Sequence, residues 1–230
     1  MTLVIAHRGA SADAVDNSLD AFARAIDAGA DMIEFDVRRT AAGELVAYHD
    51  PVGDRTRADL GAPLLSEVLE LARGRVGIDV ELKEDGYVAE VAAQLRDFDP
   101  DAVIVTSFLD AVLPQVAGAL PGVRTGLLFG VYRPPRWVRT RAGELNPVPR
   151  ARGAGVDFVA PNIRLARLGA LRRAHAAGFP SLVWTVNDEP SLARALDDPR
   201  VAGVITDVPA LAVELRGVEP TPHRWWTGRP

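Results

Sequence analysis

Short apolar runs alternate along this chain with longer segments whose apolar residues recur every three or four positions. The runs at 3–6, 32–37, 77–83, 102–107, 124–129, 157–160, 181–186 and 203–206 have the length and content of strands, and a further short one spans 44–49. Between them, residues 18–28 put Leu19, Phe22, Ala23 and Ile26 on one helix face, with Ser18 or Asn17 as cap and Gly29 as stop. Helices are also predicted over 66–73 (capped by Ser66), 87–95, 109–119, 165–177, 191–196 and 209–215. Glycine precedes strand after strand (Gly29, Gly77, Gly122, Gly155, Gly178, Gly203), as in loops that close a helix and re-enter a sheet.

Eight principal strands joined by crossovers predict an α/β fold, a single-domain (β/α)8 TIM barrel over residues 1–230. A doubly wound open sheet is disfavoured because no G-x-G-x-x-G or Walker pattern appears. The proline-rich stretch 133–150 reads as a long βα loop with at most one turn of helix, and 217–230, with Trp225 and Trp226, as an extended C-terminal tail.

Composition narrows the picture. Apolar residues make up 48% and charged residues 25%, the balance of a soluble globular domain. A net charge of −5 argues against a nucleic-acid surface, so an anionic substrate needs a local basic pocket. The absence of cysteine excludes a disulfide scaffold and a thiolate metal site. His7 and Arg8 interrupt the first apolar run before a signal-type segment forms, and no run has the length of a membrane span. The expectation is a cytoplasmic protein without stable membrane insertion; oligomeric state is not legible. Lys83 is the only lysine among 26 basic residues, which fits a general preference for arginine.

Barrel enzymes carry their chemistry at the C-terminal ends of the strands. At those ends stand His7, Arg8, Glu34, Asp36, His49, Glu81 and Lys83. Strand alternation puts Glu34 and Asp36 on one face and Ile33, Phe35 and Val37 on the other; Glu81 and Lys83 likewise share a face opposite Val80 and Leu82. Solvated rim carboxylates paired with arginine would be the ordinary alternative. Three carboxylates inside a barrel repel one another, however, and a divalent cation relieves that repulsion. All-oxygen donors suit Mg²⁺ or Ca²⁺, with Mn²⁺ as a further option. His7 and His49 have the intrinsic pKa for acid/base work, whereas His175 in a helix and His223 in the tail read as structural or surface groups. Arg8 and Lys83 suit phosphoryl oxygens.

The blocks His7-Arg8-Gly9, Asp16-Asn17-Ser18-Leu19, Ile33-Glu34-Phe35-Asp36-Val37, His49-Asp50-Pro51 and Asp79-Val80-Glu81-Leu82-Lys83 resemble the motifs of glycerophosphodiester phosphodiesterases. Weaker similarity runs through Thr106-Ser107-Phe108, Val183-Trp184-Thr185-Val186-Asn187 and Ile205-Thr206-Asp207. The resemblance implies a metal-dependent enzyme that cleaves small glycerophosphodiesters to glycerol 3-phosphate and an alcohol. It implies metal ligands at Glu34, Asp36 and Glu81, an acid/base pair at His7 and His49, phosphate contacts from Arg8 and Lys83, and Trp184 on the substrate side. His49, on its own loop, is favoured as the acid.

Two departures stand out. Asp16-Asn17-Ser18 replaces the usual Glu-Asn-Thr, placing Asp16 and Asn17 as supporting residues whose contacts must be made differently. Only residues 50–76 separate the second histidine from strand 3, a reduced insertion that should leave the mouth open and headgroup selection weak. Lysophospholipids or another lipid-derived diester, cleaved by water or through a cyclic phosphate, form the alternative substrate class. A catalytically silent barrel binding a phosphorylated metabolite is the alternative from outside enzymology.

Overall fold

The computed structural model describes residues 1–130 and 144–217. The elements run β1 (Leu3–His7), α1 (Leu19–Asp27), β2 (Met32–Arg39), β3 (Leu45–Ala47), α2 (Arg57–Leu60), α3 (Leu65–Ala72), β4 (Gly77–Leu82), α4 (Val88–Leu95), β5 (Val103–Ser107), α5 (Val112–Ala119), β6 (Arg124–Phe129), α6 (Val148–Ala154), β7 (Phe158–Pro161), α7 (Ile163–Arg167), α8 (Ala170–Ala176), β8 (Leu182–Val183), α9 (Glu189–Leu196), β9 (Gly203–Thr206) and α10 (Pro209–Arg216). Eight parallel strands pair in the order β7-β6-β5-β4-β2-β1-β9-β8, while β3 pairs antiparallel with the outer end of β2. Single bridges, Val159 to Ser181 and Asn162 to Trp184, join β7 to β8 and close the ring. This is the (β/α)8 barrel that the strand pattern predicts.

Closure sorts the alternating side chains into two layers. Ile5, Met32, Ile104, Leu128, Phe158 and Ile205 fill the interior. Ile33, Phe35, Val37, Ile78 and Val80 face outward into a core with Phe22, Leu65 and Val91 of the surrounding helices. Space inside is tight: a Cβ on Gly126 would lie 2.0 Å from the Phe158 ring, so only glycine fits there.

Several boundaries differ from the sequence expectation. The helix predicted over 165–177 is two, α7 and α8, because Gly169 at φ +103 turns the chain between them. Ser66 does not cap α3; the helix starts one residue earlier, and the Glu67 carboxylate accepts the Leu64 N–H at 2.7 Å. The strand predicted over 181–186 shrinks to Leu182–Val183. Helix α6 starts inside the proline-rich stretch at Val148, with Pro149 in its first turn, where a missing N–H costs nothing. The remainder of that stretch through residue 143, and the tail beyond 217 with His223, Trp225 and Trp226, lie outside the described residues.

Candidate active site

All the polar strand-end residues singled out above project into one mouth. A cavity there is lined by His7, Arg8, Glu34, His49, Glu81 and Lys83 on one side and by Phe108, Leu128, Trp184 and Ile205 on the other. Parallel registers produce this convergence: His7 pairs with Glu34 across β1 and β2, and Asp36 with Glu81 across β2 and β4. Equal rise along neighbouring strands keeps each pair level, with the Asp36–Glu81 pair two residues further along β2 than the His7–Glu34 pair.

Glu34, Asp36 and Glu81 are buried, and one carboxylate oxygen from each lies within 4.8 Å of the others. Glu34 Oε2 accepts the Arg8 N–H at 2.9 Å, whereas the buried Oε1 has no protein partner. Lys83 Nζ lies 2.7 Å from Asp36 Oδ1 and 2.6 Å from Glu81 Oε1, and Arg8 Nε lies 3.0 Å from Asp36 Oδ2. Burial opposes ionisation of Asp36, but Lys83 and Arg8 outweigh it and bring its carboxyl down to about 2. Burial first, then Asp36 and Glu81, push Glu34 well above the usual carboxylate range; burial raises Glu81 to about 7. Three carboxylates facing two cations, with an oxygen of Glu34 left over, fit the donor set of a hard divalent ion.

The turn after β1 aims the basic groups. Arg8 adopts φ +54, and Gly9, at φ +84, passes so close to α1 that a Cβ would lie 2.5 Å from the Ala21 backbone. Arg8 also donates to Asp16 at 3.1 Å. Asn17, left-handed at φ +57, clasps Asp36: its Nδ2 donates to Oδ2 at 2.8 Å and its Oδ1 accepts the Asp36 N–H at 3.1 Å. Asp16 and Asn17 thus touch Arg8 and Asp36, while Ser18 is the cap of α1.

His7 Nδ1 lies 2.6 Å from Asp207 Oδ1. Despite partial burial, Asp207 is held below the usual carboxylate range by His7, Asn187 and Ser11. His49 Nδ1 lies 2.8 Å from Asp50 Oδ1, and burial together with Arg8 and Lys83 lowers its pKa. Trp184 donates to the Ala160 carbonyl at 2.7 Å and packs edge-on against Phe108, 5.6 Å between ring centroids. His175 is exposed on α8, apart from the mouth.

Two residues of the site were not singled out from the sequence. Asp207 directly follows β9 at the catalytic end, a signal of the same kind as His7. Asp79 shares the inward face of β4 by simple alternation; fully buried and bonded to Thr106 at 2.8 Å, it is driven by burial up to about 8 and stays protonated at neutral pH.

The model of the glycerophosphoryl diester phosphodiesterase family matches residues 7–75 and 76–211. The chain belongs to that family. A glycerophosphodiester phosphodiesterase of Bacillus altitudinis is 30% identical, covering 94% of this chain and 98% of its own. A crystal structure of a glycerophosphodiester phosphodiesterase from Thermotoga maritima superposes at a TM-score of 0.74 with 26% identity, covering 94% of this chain and 99% of that one. A phosphodiesterase of Oleispira antarctica, solved in complex with the product sn-glycerol-3-phosphate, gives a TM-score of 0.75 at 22% identity over 94% of this chain and 96% of that one. Among the described residues of this family member, no helix is long and apolar enough to cross a membrane.

Proposed function

We propose that this chain, working as one barrel domain, hydrolyses glycerophosphodiesters to glycerol 3-phosphate and a free alcohol with the help of a divalent cation. The observation that carries the reading is the meeting of Glu34, Asp36 and Glu81 with His7 and His49 around one mouth. Glu34, Asp36 and Glu81 would hold Mg²⁺, Ca²⁺ or Mn²⁺, and the ion would supply positive charge against the phosphoryl oxygens. Arg8 and Lys83 bind the phosphate, and Trp184 with its apolar neighbours packs against the carbon skeleton. The Asp207 carboxylate fixes the tautomer of His7, leaving Nε2 to accept a proton from the attacking oxygen. His49 protonates the departing alcohol. Burial, then Arg8 and Lys83, depress its pKa in the free chain, and a phosphodiester anion bound between the two cations offsets their share.

The named relatives support this substrate class, since the Bacillus altitudinis and Thermotoga maritima proteins are glycerophosphodiester phosphodiesterases and the Oleispira phosphodiesterase was solved with the product sn-glycerol-3-phosphate. The lysophospholipid and silent-barrel alternatives have no counterpart among the relatives named above. The test is phosphorus NMR of glycerophosphocholine and glycerophosphoethanolamine incubated with the chelator-treated protein and then with each ion. Ion-dependent appearance of glycerol 3-phosphate is expected; full activity in excess chelator, or no glycerol 3-phosphate with any ion, would refute the reading.

A further inference from the structure

Outside the barrel mouth lies a groove of about 620 Å³ on the outer surface, walled by α7 and α8 on one side and α9 on the other. Its floor is apolar, formed in part by Ile163, Leu171, Val183 and Ala195. Its rim is cationic. Arg167, Arg172, Arg194 and Arg200 all line it, against a single carboxylate, Asp198. Asp198 is already committed to Arg200, at 2.8 Å from Nε and again through the second guanidinium nitrogen.

The other three guanidiniums make no ion pair with any described residue. Arg167 and Arg194 converge instead on one neutral atom, Ser191 Oγ, at 2.6 and 3.3 Å. Ser191 is buried and donates its own proton to Asp188 Oδ1 at 2.6 Å, so its lone pairs are turned toward the two arginines. Asp188 in turn caps α9 through the Ser191 N–H at 3.0 Å. Arg172 makes no hydrogen bond to a described residue. The Asp188 carboxylate behind Ser191 offsets part of this charge at Arg167, while Arg172 and Arg194 form no ion pair with a described residue; the chain as a whole carries −5, so this concentration is local. The groove's size lies within the few hundred to about 1,000 Å³ usual for small-molecule sites.

We infer that this groove is a second binding site, for an anionic single-chain amphiphile whose phosphomonoester head meets Arg167, Arg172 and Arg194 while its chain lies along the apolar floor. Guanidinium forks match a phosphate with two or more oxygens to offer. A free phosphate would use the rim and leave the floor wet, which is why the lipid-like ligand fits better than the ion alone. The site is separate from the mouth yet adjoins it through β8: Val183 faces the groove and its neighbour Trp184 faces the mouth.

Calorimetric titration of the full chain with dodecyl phosphate below its micellar concentration tests this. As a monoester, dodecyl phosphate offers no diester bond to cleave. Binding is expected to persist in excess glycerol 3-phosphate and to weaken about tenfold or more in Arg172→Glu. That variant should keep its diesterase activity, because Arg172 does not line the mouth and bonds no described residue. Arg167→Glu with Arg194→Glu should weaken binding further, and inorganic phosphate should bind at least about 100-fold more weakly than dodecyl phosphate. Absence of binding, displacement by glycerol 3-phosphate, or an unchanged affinity in both variants would overturn the site. Inorganic phosphate matching dodecyl phosphate would overturn the amphiphile. Self-association of the wild type that Arg172→Glu abolishes, seen by sedimentation, would assign the groove to a second copy of the chain and also overturn it.

Discussion

Asp207, two hundred residues from His7 in sequence, places its Oδ1 2.6 Å from the imidazole Nδ1, because β1 and β9 are neighbours in the closed ring. Asn187 and Ser11 bond the same carboxylate, so the acceptor is itself fixed in place. Asp207→Asn should therefore lower kcat by roughly 10- to 1,000-fold with KM little changed, since the amide can stabilise the wrong tautomer and carries no charge to support an imidazolium. Steady-state kinetics with glycerophosphocholine would check it. A wild-type kcat would show that His7 needs no orientation.

The histidines separate by substrate. His7→Ala and His49→Ala should each cost about 10²–10⁴ in kcat on natural diesters, whereas His175→Ala, exposed on α8, should change little. An activated nitrophenyl diester needs little protonation of its leaving group and should rescue His49→Ala but not His7→Ala. Equal rescue of both variants would dismiss the divided roles.

Burial pushes the Glu81 carboxyl from its ordinary 4.5 up to about 7. The native chain therefore keeps a proton that the unfolded chain releases near 4.5. This favours folding at low pH, and the contribution is lost as pH rises through 7. Without metal at pH 8, Glu81→Gln should be more stable than wild type by on the order of 1–3 kcal/mol, the difference closing near pH 4. Added Mg²⁺ should reverse the ranking by stabilising only the intact carboxylate set. Urea melts with and without chelator measure this; a less stable variant at pH 8 without metal would contradict it.

Asn17 joins an unfavourable backbone conformation to two hydrogen bonds on a buried carboxylate. Asn17→Ala should cost about 2–4 kcal/mol, combining the lost bonds with left-handed strain. Asn17→Gly loses the same bonds without the strain and should recover about 1 kcal/mol of it. Identical melting of the two variants would remove the backbone contribution.

The reading of Ile33-Glu34-Phe35-Asp36-Val37 succeeded because a two-residue period needs no tertiary information: once a strand is granted, its charged face follows. The same rule applied to Asp79 would have put a fourth carboxyl in the mouth, but its protonation comes from burial, against the hydrogen bond that Thr106 of the next strand donates, and alternation does not reveal that balance. The partnership of Asp207 with His7 required ring closure and was out of reach of local pattern. The division of 165–177 failed for the opposite reason. Its apolar spacing is helical throughout, and only the left-handed turn at Gly169 breaks it, a choice glycine permits but does not compel.

The ring is unevenly stitched. Between β2 and β4 the ladder runs unbroken from Met32 and Gly77 to Val37 and Leu82, whereas β7 meets β8 only at two isolated bridges. The charged arc of the mouth therefore stands on a stiff hinge-free wall, and Trp184 stands at the seam where the cask would first part its staves. Sub-global opening should begin there, freeing the aromatic side of the mouth to widen for a bulkier alcohol while the carboxylates keep their spacing.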